Sequence, residues 1–323
     1  MRGIAERGEA ADDALMRRRL ALAAFALLAL AGPASAQPLP AAPACPVFPR
    51  TNVWNKRIDA LPVAPRSRTI VRSIGADLRL HADFGAGLWE GSPIGIPITV
   101  VGRSQRRSRI TFAYAEESDA GPYPLPANVA IEGGPQGDGD RHALVVDRDS
   151  CTLYELFALR RALDPPWSAG SGAIWNLRSN RLRPRGWTSA DAAGLPVLPG
   201  LARYDEVARG AIEHALRFTV RRSRRAYVYP ARHYASRDRS TALPAMGLRL
   251  RLRRNYPVRK FPRQARVILR ALKRYGMMVA DNGSSWYVSG VPDPRWRNDE
   301  LRTLRAVKGA DFRVVDTRRL RSG

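Results

Sequence analysis

Cysteine, histidine and lysine are scarce in this chain of 323 residues, and each shortage narrows what it can be. Two cysteines are too few for a thiolate zinc centre. In an oxidising compartment an isolated pair, Cys45 and Cys151, most simply forms one disulfide. The four histidines, His81, His142, His214 and His233, stand far apart, so a metal site would have to be assembled in space. No metal or other cofactor is expected. There is no GxSxG elbow, no HExxH pair, no GxxxxGK[ST] loop and no well-placed SxxK. RNP, zinc-finger and helix-turn-helix signatures are also missing. Internal repeats of solenoid length are absent, and the apolar run Leu20–Leu30 is short for a spanning helix.

What remains is a basic chain with an export signal. Met16-Arg-Arg-Arg19, the apolar run, and then Ala34-Ser35-Ala36 follow the order of a secretory signal peptide. Residues 1–36 are therefore expected to be an N-terminal extension and leader, with Met16 as an alternative start. A Pro/Ala-rich linker is expected over 37–49 and a single β-rich domain over 50–323. The mature chain, beginning near Gln37, should be secreted or periplasmic, monomeric and without stable membrane insertion. The formal net charge is +25, carried almost entirely by arginine. These arginines scatter as high-GC codon usage would scatter them, and no nucleic-acid partner is expected. A basic surface also suits an acidic polysaccharide or an anionic envelope through long-range steering.

The segment Ile131–Leu159 gathers most of the unusual chemistry. Asp147-Arg-Asp-Ser150 is turn chemistry between two β-patterned runs, which predicts a hairpin. On the return strand Leu153, Glu155, Phe157 and Leu159 share one face, and Thr152, Tyr154, Leu156 and Ala158 the other. Both faces are largely apolar, so the strand should be central. Glu155 is then buried, which raises a carboxyl pKa as a general acid near neutral pH requires. A structural ion pair with an arginine is the alternative. His142 lies two residues after Asp140 on the same strand face. Gly137-Asp-Gly-Asp140 offers oxygen ligands for Ca²⁺, but reads first as a tight turn.

Further strands are expected at Thr69–Val71, Ile94–Val101, Arg109–Ala115, Asn128–Glu132, Ile212–Val220, Ala226–His233, Gly247–Arg253 and Phe312–Asp316. Pro97 marks its run as an edge or a bulge. Gly247–Arg253 alternates leucine and arginine, which predicts a basic outer face. Met277–Ala280 and Ser285–Ser289 should form a hairpin around Asp281-Asn-Gly-Ser284. Pro262–Tyr275 is the clearest helix, and shorter helical segments are expected at Leu201–Gly210 and Asn298–Val307. The pattern predicts a mostly-β domain, a two-sheet sandwich or jelly roll with one or two peripheral helices. His214, on an apolar face, reads as a satisfied core histidine.

The runs GPYPLP (Gly121–Pro126), GWTSADAAGLPVLPGLARYDEV (Gly186–Val207) and YGMMVADNGSSWYVSG (Tyr275–Gly290) resemble those of a family of uncharacterised secreted bacterial proteins. The resemblance covers most of the mature chain. It implies secretion and a shared architecture, and it carries no chemistry.

The long segments bearing Trp167, Trp175, Asn176 and Trp187 are rich in Gly, Ser and Asn, and flat indoles beside amides suit sugar rings. Plugs at the ends of a sandwich are the alternative. Together these features predict a secreted carbohydrate-active protein, foremost a glycoside hydrolase with paired carboxylates acting on a polysaccharide. Glu155 is the candidate acid, with Glu132 or Asp140 as partner and Asp191 in reserve. A polysaccharide lyase would instead use His142 or Tyr123 as base, with Arg217 and Arg232 on a uronate carboxylate. Arg217 and His233 complete the expected substrate contacts, and a non-catalytic glycan-binding or envelope protein is the third reading.

Overall fold

The hairpin in the central segment forms, and two sheets are organised around it. The computed structural model describes residues 37–163 and 166–320, so the leader lies outside the described residues. In chain order the strands of the two main sheets are β1 (His81–Asp83), β2 (Ile98–Val101), β3 (Ala143–Asp147), β4 (Thr152–Phe157) and β5 (Ser171–Asn176). They continue with β6 (Leu216–Val220), β7 (Arg249–Leu252), β8 (Met277–Asn282), β9 (Tyr287–Ser289) and β10 (Phe312–Val314). The helices are α1 (Ser67–Ile74), α2 (Tyr204–Arg209), α3 (Arg263–Arg274) and α4 (Asn298–Arg302). One sheet runs β2-β3-β4-β5 and the other β1-β9-β6-β8-β7-β10. The chain is thus mostly β and sandwich-like. Among the described residues no helix is long and apolar enough to cross a membrane.

The hairpin β3–β4 is central and buried on both faces, as its two-sided apolar pattern requires. Its turn is tied by Asp147, whose carboxylate accepts the amides of Asp149 and Ser150 at 3.0 and 3.3 Å. On one face Val146 and Leu153 join Ala173 and Trp175 of β5 under Leu39, Ala42, Val47 and Phe48. On the other, Val145, Tyr154 and Leu156 pack with Tyr123, Leu125 and Trp167. Residues 37–49 are therefore part of the core rather than a linker, and Cys45–Cys151 forms the expected disulfide that pins them to the hairpin. Between the sheets runs the segment 187–203. Leu144 meets its Ala190, Val197 and Leu201. Its Ala193 amide donates to Ala280 on β8, and its Ala202 amide to Ser289 on β9.

Several local expectations change. Thr69–Val71 belongs to the helix α1, because Ile70, Val71 and Ile74 fall on one helical face and are buried together. Asn128–Glu132 and Ala226–His233 are irregular, and Arg109–Ala115 contracts to Thr111–Phe112. β8 and β9 do not form a hairpin, since β6 lies between them, parallel to β8 and antiparallel to β9. The arginines of β7 do not face solvent. Arg249 and Arg251 are buried, and Arg249 donates to the carbonyls of Tyr275, Val53 and Lys56 at 2.8–2.9 Å. A guanidinium has enough fixed donors to satisfy carbonyls that would otherwise be stranded. Trp167–Ala169 and β5 are strands rather than loops. Gly172 is what lets β5 approach so closely: a Cβ there would sit 2.4 Å from the Tyr123 hydroxyl and 2.7 Å from the Phe112 ring.

Candidate functional site

Glu155 is fully buried, as its position among Leu153 and Phe157 implied, but it is closed in. Its oxygens accept the amides of Val197 and Leu198 at 2.9–3.0 Å and the Trp175 indole N–H at 3.0 Å. Burial raises its pKa to about 7 against the pull of those three donors. With every contact an internal donor, it anchors the segment 187–203 to the hairpin and lines no open cavity. The expected sugar contacts of the indoles are likewise corrected. Trp167 and Trp175 are core side chains, because strand alternation turns them inward. Trp187 is half-buried with the Arg183 guanidinium 5.3 Å from its ring centre. Asn176 is an exposed cap, accepting the Arg178 amide at 2.8 Å.

The segment that Glu155 anchors carries the next part of the site. Within it the Ser189 hydroxyl accepts the Asp191 amide at 2.9 Å, and Gly194 turns back so tightly that a Cβ would lie 2.5 Å from the Trp187 carbonyl. Asp191 is thereby aimed at Arg217 on β6, which donates to both of its oxygens at 3.2 and 3.0 Å and to the Ser289 hydroxyl at 2.6 Å. Burial would lower the Arg217 pKa, and the charge of Asp191 raises it instead. Asp191 and Arg217 are both buried, so neither touches substrate in this state.

Asp281 follows the buried run of β8, beside that pair. Burial, and then the neighbouring Asp191 charge, push its carboxyl up to about 8. Two carboxyls in hydrogen-bonding contact cannot both ionise cheaply, and it is Asp191 that takes both bonds from Arg217. Asp281 therefore holds the proton at neutral pH.

Glu132, half-buried, and His142, fully buried, make a second pair, the His142 Nδ1–H donating to Glu132 Oε2 at 2.5 Å. The other ring nitrogen faces the Ala190 carbonyl at 2.9 Å, and a carbonyl can only accept, so the ring carries both protons. Burial would lower the His142 pKa, but the Glu132 charge and hydrogen bond hold it up at about 9. Such an imidazolium cannot act as a base. Tyr123, the other base considered, is fully buried and donates its hydroxyl to the Asp119 carbonyl at 2.6 Å. Arg232 donates to the Arg183 carbonyl at 2.8 Å, a backbone staple.

Two pockets flank this charged cluster. One, of about 470 Å³, is lined by Asp140, Asp281, His233, Glu117 and Tyr114. His233 donates Nδ1–H to the Ala192 carbonyl at 2.8 Å, which leaves Nε2 facing Glu117 at 3.8 Å. The other, of about 690 Å³, has Asp83 and Glu132 in its wall and the exposed indole of Trp89 at its edge. Burial and the Glu132 charge raise the Asp83 carboxyl, and Asp140 adds to the same effect. The acids of the two pockets are thus near enough to repel one another. Of the expected residues, Asp140 and His233 meet in one pocket and Glu132 reaches the other. His142, Asp191 and Arg217 form the buried support between them.

Sequence reasoning missed Asp281, Glu117 and Trp89. Asp281 follows four apolar residues that are all buried, a signal that β8 runs on past the expected turn. Among the described residues no group of three or more His, Cys, Asp or Glu side chains is arranged to hold a metal ion. The Gly134 and Gly137 carbonyls of the acidic loop accept from Arg141, a cation already in place. No family model, curated protein or solved structure matches this chain.

Proposed function

We propose that this is an exported glycoside hydrolase whose general acid is Asp281 and whose second carboxylate is Asp140. The observation that carries the reading is a proton-holding carboxyl and an exposed carboxylate lining one pocket. In the reaction Asp281 gives its proton to the glycosidic oxygen as the bond to the anomeric carbon breaks. Asp140 either takes a proton from the attacking water or attacks that carbon itself. Asp191, fixed in place by Arg217, holds Asp281 in its protonated form between turnovers. Trp89, at the edge of the second pocket, offers a flat apolar face for a further sugar ring. Export is supported by the leader-like order of residues 16–36, by the disulfide, and by the resemblance to secreted bacterial proteins.

The lyase reading keeps one specific support: His233 lines the pocket, its Nδ1–H bound to the Ala192 carbonyl and its Nε2 facing Glu117. Incubation with a panel of neutral and acidic polysaccharides separates the readings. New reducing ends without near-UV absorbance, lost in both D281N and D140N, are expected. Unsaturated products abolished by H233A would replace hydrolysis with elimination. Glycan retention with no product from any polymer would leave a binding protein.

A further inference from the structure

Gln37, the residue expected to lead the mature chain, is gripped by side chains that have almost no contact with solvent. Arg203 and Glu206 are 2% and 0% exposed. Arg203 donates Nη2–H to the Gln37 carbonyl at 2.5 Å, and the Gln37 amide is directed at the Glu206 carboxylate. His214 Nε2 lies 3.1 Å from Glu206 Oε2, while its Nδ1–H donates to the Ala215 carbonyl. Asp205 takes Arg203 Nε at 3.3 Å and Arg209 Nη2 at 2.8 Å. One acceptor in this network is unused. Glu206 Oε1 is 3.1 Å from Arg203 Nη2 but, among the described residues, has no hydrogen bond, and neither has Arg203 Nη1. A buried carboxylate oxygen left in that state is expensive, and it can accept one more donor.

A peptide-linked Gln37 has a single N–H to offer. Hydrolysis of the Ala36–Gln37 bond gives hydroxyl to the Ala36 carbonyl and hydrogen to the Gln37 nitrogen, which takes one further proton from solvent. We propose that the α-ammonium group so created docks on Glu206, its added hydrogens bonding Oε1, and that the mature domain is locked by its own new N-terminus. Arg203 is the last residue of the segment that carries Asp191. The proposal rests on the export reading only for the cleavage itself.

Two wild-type chains test the docking without relying on export. One begins at Gln37 with a free amine, released from a removable tag, and the other retains Ala34–Ala36. The free Gln37 chain should melt higher by about 2 °C or more. In E206Q the difference between the two forms should vanish. Equal melting in the wild-type pair overturns the proposal. Should E206Q not fold, acetylation of the Gln37 amine in the wild-type chain must lower its melting to that of the extended form, and no change overturns it. Intact mass of the exported protein must give Gln37 as first residue, and another first residue overturns the assigned cleavage. Retention of the whole precursor in the cell sinks the export reading, while the melting pair still decides the docking.

Discussion

A carboxyl that is to protonate a leaving group needs both a raised pKa and a path to substrate. Glu155 has the first and Asp281 has both. For Asp281 the same burial that prepares the acid also destabilises the fold as pH rises. The unfolded chain loses this proton near the ordinary aspartate value, whereas the native carboxyl keeps it to about pH 8. Between those limits the native state binds more protons, so stability is greatest below the unfolded pKa and falls as pH rises through about 8. His142 adds to the fall: its contribution is complete below the ordinary histidine value and is lost as pH rises through about 9. D281N keeps a donor for Asp191 but removes the ionisation. It should therefore abolish hydrolysis yet unfold at higher urea than wild type near about pH 9, by on the order of 1–3 kcal/mol, with little difference near about pH 5. Hydrolysis by the wild type should lose rate on an alkaline limb centred near pH 8. Urea titrations at the two pH values and a pH–rate profile check both, and an unchanged alkaline limb in an active D281N would remove Asp281 as the acid. E155Q is the complementary case. A carboxamide must turn its NH₂ toward the Val197 and Leu198 amides or the Trp175 indole, so donor meets donor. The expected loss is about 1–3 kcal/mol in stability with kcat nearly intact; a collapse of kcat in a folded E155Q would restore Glu155 to the chemistry.

The parts of the fold that could be read directly are those whose partners are close in sequence. The β3–β4 hairpin needs only alternation and an Asp-Arg-Asp-Ser turn, and α3 only its apolar stripe and Gly276. Sheet order was not legible, because β6 inserts between β8 and β9 from some sixty residues away and pairs parallel to β8. That insertion also explains why Asp281 read as a turn: the local pattern of a hairpin is the same whether or not another strand later separates its arms. The tryptophans misled for a related reason. Gly and Ser in β5 serve close packing against Tyr123, and Trp167 and Trp175 fill the two faces of the same sheet. The N-terminal segment read as a linker from its Pro/Ala composition, yet Leu39, Val47 and Phe48 cover Trp175 and Leu153. Its attachment is covalent as well as apolar. The Cys45–Cys151 bridge closes a loop with a sequence separation of 106, worth about 4–5 kcal/mol in the chain-entropy model. The double substitution C45A/C151A should lower unfolding free energy by roughly that amount. It should also open the segment 37–48 to hydrogen exchange before the rest of the sheet. Protection of this segment equal to wild type would show that apolar packing alone holds it.

The formal charge of +25 acts on partners only through the arginines that reach solvent. Several do not. Arg217 is spent on Asp191, Arg203 on Asp205 and Glu206, and Arg249 on backbone carbonyls. These are structural donors, chosen for a fixed fork that fits carboxylates and carbonyls where lysine would not. The remaining positive surface works at distances comparable with the Debye length, about 8 Å at physiological salt, and is screened accordingly. Chemistry in the pocket is set instead by contacts such as Asp191 with Asp281 and Glu132 with His142, which salt screens far less. The two contributions therefore separate by experiment. For an acidic polysaccharide, raising salt from about 50 mM to about 500 mM should raise KM about tenfold or more through lost steering and attraction, with kcat held within about twofold. A neutral polysaccharide should show neither change. If KM is equally insensitive to salt for both polymers, the positive surface plays no part in choosing substrate, and the arginine content reflects composition and internal bonding alone. If kcat moves with KM for the acidic polymer, the charge reaches the reacting bond, and the pocket must then hold an arginine contact to substrate beyond the acids and histidine described above.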